Sequence, residues 1–424
     1  MKLVLIYPRW RKGLWSIFIY RMPMLGLYQL AAATPDDVEV EIIDENVTDI
    51  DFRHADLVGI SVMTPAAPRA YEIARRYKDM GVKVVLGGIH PSTVPEEALL
   101  HADCVVVGEA DDVWPSIVED ARRGRLRRQY VVTRRPDITK AFTRMPSVTD
   151  HGRYFIKNLV QTGRGCPVNC NFCSVTSFNG MGMRYRAIEN VVHEIEARRH
   201  ISRNFLFADD NLVANGERAR QLFEAITPLK IEWGSQVTIK LALEESLLTR
   251  AVKSGCRGVF IGFESVDQHS LDFCEKKFKV RKYEDAIHRL HDHGIFITGS
   301  FIFGFDTDTP DVVKRTLDFC MRNRIDMCQF SILTPFPDTR LYAQFVEQGR
   351  ITCFDWRRYD AFHVVYKPRR MTQEELQQSV NHAYKEYNAF MPALHRCMDS
   401  LKEGSWKAAF LSARTSWDSY RFDI

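Results

Sequence analysis

Short apolar runs alternate with helical patterns over the first part of the chain. The runs are rich in Val and Ile, and they cover residues 3–7, 38–43, 57–62, 82–86 and 104–107. Between them apolar residues recur at helical spacing, for example along 67–80. Continuous apolar strands are typical of a parallel sheet that helices cover on both faces. The pattern therefore predicts a doubly wound, Rossmann-like α/β domain of five strands at residues 1–125.

A second alternation occupies residues 156–340 and predicts six strand-helix units. The predicted strands are 158–161, 204–207, 231–237, 258–263, 295–303 and 327–333, and the helices between them are 189–199, 218–227, 244–254, 283–292 and 310–323. Six units fit a partial (β/α)6 barrel, a relative of the TIM barrel, in which the chemistry lies at the carboxyl ends of the strands.

Two further segments break the alternation. An arginine-rich run at 122–135 lies between the two regions, and residues 126–155 are predicted to be a solvated linker. Residues 371–398 have a helical pattern, and residues 405–424 are aromatic and basic. We expect residues 341–424 to form a helical extension that covers the mouth of the barrel.

Three closely spaced cysteines follow the first predicted strand of the barrel. They are Cys166, Cys170 and Cys173, in the run TGRGCPVNCNFCS. Three thiolates at these spacings can bind three irons of a [4Fe-4S] cluster and leave the fourth iron without a protein ligand. A structural zinc site is an alternative that needs a fourth ligand, for which His193 and His200 are the nearest downstream candidates. A disulfide is a further alternative, although clustered cysteines in a reducing compartment bind metals more often.

The composition is that of a globular protein, and it excludes several kinds of partner. Lys and Arg number 58 against 54 Asp and Glu, so the net charge of +4 is too balanced to indicate nucleic acid binding. No run of 18 apolar residues occurs, which argues against a membrane span. The sequence shows no signal-peptide pattern, so we expect a cytoplasmic location.

The cysteine run, with the aromatic Phe172 before its last cysteine, resembles the cluster loop of the radical S-adenosylmethionine (SAM) enzymes. The count of six strand-helix units also matches the open barrel of that family. The resemblance implies a [4Fe-4S] cluster whose open iron chelates the amino and carboxylate groups of SAM. It further implies reductive cleavage of SAM to a 5′-deoxyadenosyl radical, with electrons from a flavodoxin- or ferredoxin-type reductant.

The N-terminal region adds a second resemblance, carried by the runs GGIHP at 87–91 and VGEAD at 107–111. A doubly wound domain with these runs, directly ahead of the cysteine loop, resembles the B12-dependent radical SAM enzymes over most of the chain. It implies cobalamin as a cofactor, although the Asp-x-His-x-x-Gly motif that coordinates cobalt in other B12 proteins is absent. Turn geometry alone would also explain the glycines. The candidate cobalamin contacts are Ser61, Thr64, Gly87, Gly88, His90, Gly108 and Glu109.

Polar residues at the strand ends of the barrel are candidates for binding SAM. Asp209 lies where related enzymes bind the amino end of SAM, and an N-cap for the helix near Asn215 is the alternative. Glu264 ends an apolar strand and is assigned to the ribose hydroxyls, with a salt bridge to an arginine as the alternative. The other candidates for cofactor binding are Phe172, Gln236, Ser265 and Ser300.

Together the two cofactors imply an enzyme that abstracts hydrogen from an unactivated carbon and transfers a methyl group through methylcobalamin. The same radical chemistry without methyl transfer, as in ring contraction, cyclisation or oxidation, is one alternative. A non-catalytic iron-sulfur or B12 sensor is another. The runs DWRRYD at 355–360 and HVVYKP at 363–368 resemble the C-terminal extension of relatives that act on hopanoid and tetrapyrrole-like molecules, which implies a lipophilic small-molecule substrate. No catalytic acid or base is assigned.

Overall fold

The structure is a computed structural model that describes residues 1–10, 22–139, 154 and 156–389. Its strands form two six-stranded sheets with parallel pairing and one short antiparallel ladder. The strands are β1 (Lys2–Tyr7), β2 (Glu39–Asp44), β3 (Leu57–Ser61), β4 (Lys83–Gly87), β5 (Cys104–Val107), β6 (Gln129–Val131), β7 (Asn158–Val160), β8 (Gly163–Arg164), β9 (Arg184–Tyr185), β10 (Asn204–Phe207), β11 (Glu232–Val237), β12 (Cys256–Glu264), β13 (Phe296–Phe303) and β14 (Met327–Ile332).

Helices follow most of these strands. They are α1 (Leu25–Ala33), α2 (Ala67–Asp79), α3 (Ile89–Thr93), α4 (Pro95–Ala98), α5 (Trp114–Arg122), α6 (Ser174–Asn179), α7 (Ile188–Arg198), α8 (Gly216–Ile226), α9 (Lys240–Leu243), α10 (Glu245–Lys253), α11 (Gln268–Phe273), α12 (Tyr283–Asp292), α13 (Val312–Arg322), α14 (Arg340–Glu347) and α15 (Gln373–Tyr387). Within the described segments, no helix is both long enough and apolar enough to cross a membrane.

The first sheet has the order β2-β1-β3-β4-β5-β6. The chain leaves β1 toward β2 on one side and returns to β3 on the other, so the strand order reverses between β1 and β3. Ligands of such sheets bind outside the carboxyl ends of the strands at this reversal. Tyr7 ends β1 there, and its hydroxyl donates a hydrogen bond to Sδ of Met63, 2.9 Å away and just beyond β3. The end of β3 therefore lies where the topology predicts a ligand.

Helices cover both faces of this sheet, which is why its strands are continuous apolar runs. On one face α2 buries Ile73 and Tyr77. On the other face Trp114 of α5 packs over Gly59, where a Cβ atom would lie 3.0 Å from the Trp114 ring and 2.9 Å from Leu5. Because Gly59 has no side chain, the large indole of Trp114 can pack directly against the sheet.

A sixth strand, β6, extends the first sheet within the segment predicted to be a linker. It pairs in parallel with β5, and of its three residues only Tyr130 is buried, between the exposed Gln129 and Val131. One buried side chain gives no repeat that sequence periodicity can detect, and the neighbouring arginines favoured a solvated interpretation. The prediction of five strands was therefore wrong, because the sheet has a sixth strand at its edge.

The second sheet has the order β7-β10-β11-β12-β13-β14, and every neighbouring pair is parallel. Each of the six predicted strands has its counterpart, and helices α7, α8, α10, α12 and α13 lie between them in the sequence. β7 and β14 are the edge strands of this sheet. The predicted fold class, a Rossmann-like domain followed by a partial barrel and a helical C-terminal part, is confirmed.

The C-terminal part packs beside the last strand of the barrel. α15 lies against α13 and β14, and the backbone amide of Phe330 donates to the Tyr384 hydroxyl at 3.0 Å. α15 begins with a capping box, in which Thr372 and Glu375 each accept the other's backbone amide. The predicted aromatic and basic segment at 405–424 lies outside the described residues.

Candidate active site

The three clustered cysteines lie on one loop between β8 and α6. Cys166, Cys170 and Cys173 are free and half-buried. Burial raises the pKa of all three thiols. A negative charge on Cys166 would raise the pKa of Cys173 further, and a negative charge on Cys173 would raise the pKa of Cys170. The three thiols therefore lie near one another. The backbone amides of Val175 and Thr176 oppose this at Cys173 by donating to its sulfur.

The cysteine loop is anchored to the rest of the barrel through Asn171. Its backbone amide donates to the carbonyl of Cys274 at 3.3 Å, and its side-chain amide donates to the carbonyl of Phe273 at 3.0 Å. Its own carbonyl accepts from the amide of Leu341 at 3.0 Å. Phe172, beside it, faces Phe305 with ring centroids 6.4 Å apart. The loop is therefore held from the end of α11, from α14 and from the segment after β13.

This arrangement fits a cluster with three protein ligands. The thiols are free, close together, partly exposed and carried by a firmly anchored loop. Among the described residues no three His, Cys, Asp or Glu side chains are arranged to hold a single metal ion. The zinc alternative, which needs a closed set of four ligands, has no counterpart in the described part of the chain.

Asp209, predicted to bind the amino end of SAM, is buried against the end of β7. Its carboxylate accepts from the backbone amide of Thr162 at 2.9 Å and from the Thr162 hydroxyl at 2.8 Å. Burial raises its pKa to about 7. The structure thus gives Asp209 a contact between two neighbouring strands, and binding of SAM by this side chain stays a prediction.

The two residues after Asp209 face the cysteine loop. Asp210 accepts from the backbone amide of Gly165 at 3.2 Å and from the side chain of Asn179 at 3.3 Å. The Asn211 side chain interacts with the thiol of Cys166 and lowers its pKa, against the larger effect of burial. The N-cap alternative given for Asp209 is wrong, because Asn215 itself accepts from the first amides of α8.

Glu264 lies at the end of β12 with a φ of +62°, an unusual conformation for a residue with a side chain. Its carboxylate is 2.6 Å from the ammonium of Lys276, and both side chains are largely buried. Lys276 also donates to the carbonyl of Gly262 at 2.5 Å. Burial alone would lower the pKa of Lys276, but Glu264 and Cys170 outweigh it and raise the pKa. A salt bridge was the alternative role for Glu264, and its partner is this lysine.

Lys276 was not among the residues predicted from the sequence, although its buried ammonium acts on two of the clustered cysteines. Its charge lowers the pKa of both Cys166 and Cys170, against the dominant effect of burial. Lys276 lies in the charged run EKKFK, where nothing distinguishes it from solvated neighbours. Only the fold reveals its burial.

The remaining candidates for SAM binding lie at neighbouring strand ends. Gln236 is exposed near the end of β11. Ser265 is buried after β12, and its hydroxyl accepts from the amide of Asp267 at 3.1 Å. Ser300 is buried within β13. Their roles stay predictions, and of the three Gln236 has the most freedom to contact a ligand.

The candidate cobalamin contacts lie at the carboxyl ends of β3, β4 and β5. Ser61 ends β3, and Thr64 is buried in the turn that follows. Gly87 ends β4. Gly88 and Gly108 have φ of +98° and +95°, so both need the conformational freedom of glycine. A Cβ on Gly88 would lie only 2.9 Å from the backbone nitrogen of Val62. A glycine at this position therefore lets the ends of β3 and β4 pack closely.

His90 is fully buried and has protein partners at one ring nitrogen. Its Nε2 is 3.0 Å from the Tyr71 hydroxyl, which also donates to Glu97. Burial lowers the pKa of His90 to about 4, so the ring is neutral. Glu97 in turn accepts from the indole of Trp356, beyond the barrel, at 2.9 Å. His90 is therefore linked, through Tyr71 and Glu97, to a contact between the N-terminal domain and the C-terminal part.

Glu109 belongs to a buried ion network that joins the N-terminal domain to the cysteine loop. Its two oxygens accept from Arg164 and Arg184, each at 2.5 Å. Asp111 accepts twice from Arg164, at 2.8 and 3.0 Å. Burial would lower the pKa of Arg164, but Asp111 and Glu109 raise it, so the guanidinium stays charged. Contact between Glu109 and cobalamin stays a prediction, and its observed partners are arginines of the barrel.

These features define a class: a parallel-sheet domain with a ligand crevice, joined to an open barrel whose first loop presents three thiols. Comparison with known proteins places the chain within that class. Residues 18–118 match the model of the B12 binding domain, and residues 160–320 match that of the radical SAM superfamily.

Two curated relatives come from Chlorobaculum tepidum. The chain is 31% identical to bacteriochlorophyllide d C-12(1)-methyltransferase, over 92% of this chain and 88% of the relative. It is 32% identical to bacteriochlorophyllide d C-8(2)-methyltransferase, over 88% and 87%. A solved structure of the radical SAM methyltransferase TsrM from Kitasatospora setae, with cobalamin and a [4Fe-4S] cluster bound, has the same fold, with a TM-score of 0.68 and 18% identity over 82% of this chain and 78% of that chain.

The chain belongs to the cobalamin-dependent radical SAM superfamily. The predicted enzyme class and the cofactors, a [4Fe-4S] cluster, SAM and cobalamin, are confirmed by these matches. The predicted radical chemistry with methyl transfer is confirmed at the level of the family. An enzyme of this class needs an external source of electrons.

Proposed function

We propose that the protein methylates an unactivated carbon of a tetrapyrrole-type ring. The observation that carries this proposal is the similarity to the two bacteriochlorophyllide d methyltransferases, which extends over nearly the whole of each chain. A flat, lipophilic ring also agrees with the substrate implied by the C-terminal runs of the sequence.

The site residues fall into three groups with separate tasks. Cys166, Cys170 and Cys173 would hold the cluster. The strand ends at Gln236, Glu264, Ser265 and Ser300 would line the SAM side, and those at Ser61, Thr64, Gly87, Gly88 and Gly108 the cobalamin side. When bound, the cluster and SAM supply the adenosyl radical, and cobalamin supplies the methyl group. The chain positions these groups around one carbon and excludes water from the radical.

The electrostatics near the cysteines support this assignment. Burial raises the pKa of Cys166 and Cys170, and the buried cation Lys276, which is paired with Glu264, opposes that rise at both thiols. A buried positive charge favours thiolates over thiols, and thiolates are the ligands of an iron-sulfur cluster. The pair of Lys276 with Glu264 would thus help to hold the loop ready for the cluster.

We further propose a cytoplasmic location and a flavodoxin- or ferredoxin-type electron donor. The three cysteines of the loop, Cys166, Cys170 and Cys173, are free thiols. This agrees with a reducing compartment, in which disulfides are rare and a cluster is protected.

The test is anaerobic turnover of the full chain after reconstitution with iron, sulfide and hydroxocobalamin. SAM with a deuterated methyl group is supplied with bacteriochlorophyllide d or, in parallel, with a hopanoid. We expect 5′-deoxyadenosine and a tetrapyrrole that carries the labelled methyl group. A labelled hopanoid with an unchanged tetrapyrrole would overturn the substrate class. A tetrapyrrole changed without label would favour cyclisation or oxidation.

A further inference from the structure

The ion network of Arg164, Arg184, Glu109 and Asp111 is the densest buried polar contact between the two domains of the described chain. The side chains of Arg164 and Glu109 are only 7% and 4% exposed. Those of Arg184 and Asp111 are 20% and 23% exposed. Two cations face two anions, so the network is neutral as a whole. Glu109 is shared, since its Oε2 accepts from both Arg164 and Arg184 and its Oε1 accepts from Arg184.

Arg164 uses its whole guanidinium group in this contact. A guanidinium has five N–H donors in a rigid plane. Arg164 donates five hydrogen bonds: to Glu109, twice to Asp111, and to the side chains of Gln29 and Gln161. Because the bond pair to Asp111 is bidentate, it fixes the orientation of the plane as well as its distance. Arg164 is therefore held in one place and in one direction.

The network lies a very short way along the chain from both cofactor sites. Arg164 precedes Cys166 by two residues, and only Gly165 lies between them. A Cβ on Gly165 would collide with the carbonyl oxygen of Gly182, so the backbone at Gly165 lies close against the segment at Gly182. On the other side, Glu109 directly follows Gly108, a candidate cobalamin contact just after β5. The path from Gly108 to Cys166 thus crosses a single side-chain contact.

Stability alone does not account for such a contact. A buried ion network is often no more stabilising than well-packed apolar side chains of the same volume. What it adds is a unique geometry, since a charge left without its partner is costly in every other arrangement. At this place in the fold, a unique geometry of the two domains means a fixed distance between the two cofactors.

We propose that this network is a positioning device that sets the distance between cobalamin and the iron-sulfur cluster. Arg164, Arg184, Glu109 and Asp111 are positioning residues, because they act through Cys166 and Gly108. Both oxygens of Glu109 accept from arginines, so this proposal assigns Glu109 to positioning and not to direct contact with cobalamin. The proposal rests on the two cofactors of the family and is independent of the substrate proposed above.

The test measures that distance directly. The full chain is loaded with cluster and cobalamin, iron and cobalt are counted per chain, and pulsed EPR records the dipolar coupling between the reduced cluster and Co(II). Glu109→Gln keeps the shape of the side chain and removes its charge. We expect the distance distribution to shift or broaden in Glu109→Gln. The matched control is Glu119→Gln, whose carboxylate pairs with Arg122 and Arg123 on the surface of α5, and there we expect no change.

A second readout follows once a methyl acceptor is known. A displacement of about 1 Å can lower the rate of a positioned reaction on the order of 100-fold. We therefore expect the yield of methylated product per 5′-deoxyadenosine to fall by up to that factor in Glu109→Gln. The EPR result does not depend on the acceptor, so a wrong substrate and a wrong positioning role are told apart.

Asp111→Asn is the second variant, in case Glu109→Gln does not fold. Asp111 is partly exposed, and its change removes only the bidentate pair. A distance distribution unchanged in both variants would overturn the proposal. Failure of both variants to fold, with a normal Glu119→Gln, would overturn it as well, since the network would then serve folding alone.

Discussion

Replacement of Asp209 by Asn distinguishes a structural role for this carboxylate from a role in binding SAM. Burial raises the pKa of Asp209 from 3.8 to about 7. Below pH 3.8 the folded and unfolded states both hold the proton, and above pH 7 neither does. Between these values only the folded state holds it, so the free energy of unfolding falls as the pH rises through this window. Three pKa units correspond to about 4 kcal/mol, an upper limit for the loss at pH 8.

Asp209→Asn reproduces the protonated form. Its oxygen can accept from the amide of Thr162, and its NH2 group can donate to the Thr162 hydroxyl, in place of the two bonds seen in the structure. We therefore expect Asp209→Asn to match the wild type near pH 4 and to be more stable at pH 8, by up to about 4 kcal/mol. Burial also raises the pKa of Asp308, to about 6. Its contribution to the pH dependence of stability is the same in the wild type and the variant, so it cancels in the comparison.

The assay is urea unfolding of the apo protein at the two pH values, under anaerobic and reducing conditions. Asp49→Asn is the control, because its side chain is 90% exposed. SAM affinity is measured in parallel on the loaded enzyme. A variant that is less stable than the wild type at pH 8 would refute the linkage argument. A loss of SAM affinity of about 10-fold or more would instead assign Asp209 to the ammonium of SAM, since hydrogen bonds to charged groups contribute about 1.5–3 kcal/mol.

Three other changes test the barrel and the first sheet. Cys173→Ala should abolish the visible absorbance of the reconstituted cluster. The control is Cys353→Ala, at a half-buried thiol outside the cysteine loop, which should retain that absorbance. An intact cluster in Cys173→Ala would show that Cys173 is not a ligand. Lys276→Met leaves Glu264 buried without its cation and should cost about 3–5 kcal/mol in urea unfolding, with recovery when Glu264→Gln is added. Gly59→Ala places a methyl group against Leu5 and Trp114 and should cost about 1–3 kcal/mol, which an unchanged melting temperature would contradict.

The sequence predicted the strands and helices well because both sheets are buried on two faces. A buried parallel strand is a continuous apolar run, and a helix that covers it has one apolar face, so each element carries its own local signal. β6 carried none, because only Tyr130 of its three residues is buried. Its pairing with β5 depends on a neighbour that is distant in the sequence.

The candidate site was predictable only where its chemistry is local. The three cysteines lie within eight residues, so their spacing is visible in the sequence itself. The partners of Asp209, Glu264 and Glu109 were not, because Thr162, Lys276 and Arg164 lie 47, 12 and 55 residues away along the chain. A carboxylate at a strand end looks the same in the sequence whether it meets a ligand or a buried cation. Folding decides between the two, by bringing a cation to it.

The N-terminal domain is fastened to the barrel at two separated places. One is the contact of Arg164 with Glu109 and Asp111, a few residues after the edge strand β7. The other is the contact of Trp356 with Glu97, in the segment that follows the opposite edge strand β14. A body attached at both rims of an open barrel cannot swing about either attachment alone. A change in the relative position of the two domains would therefore have to break both contacts.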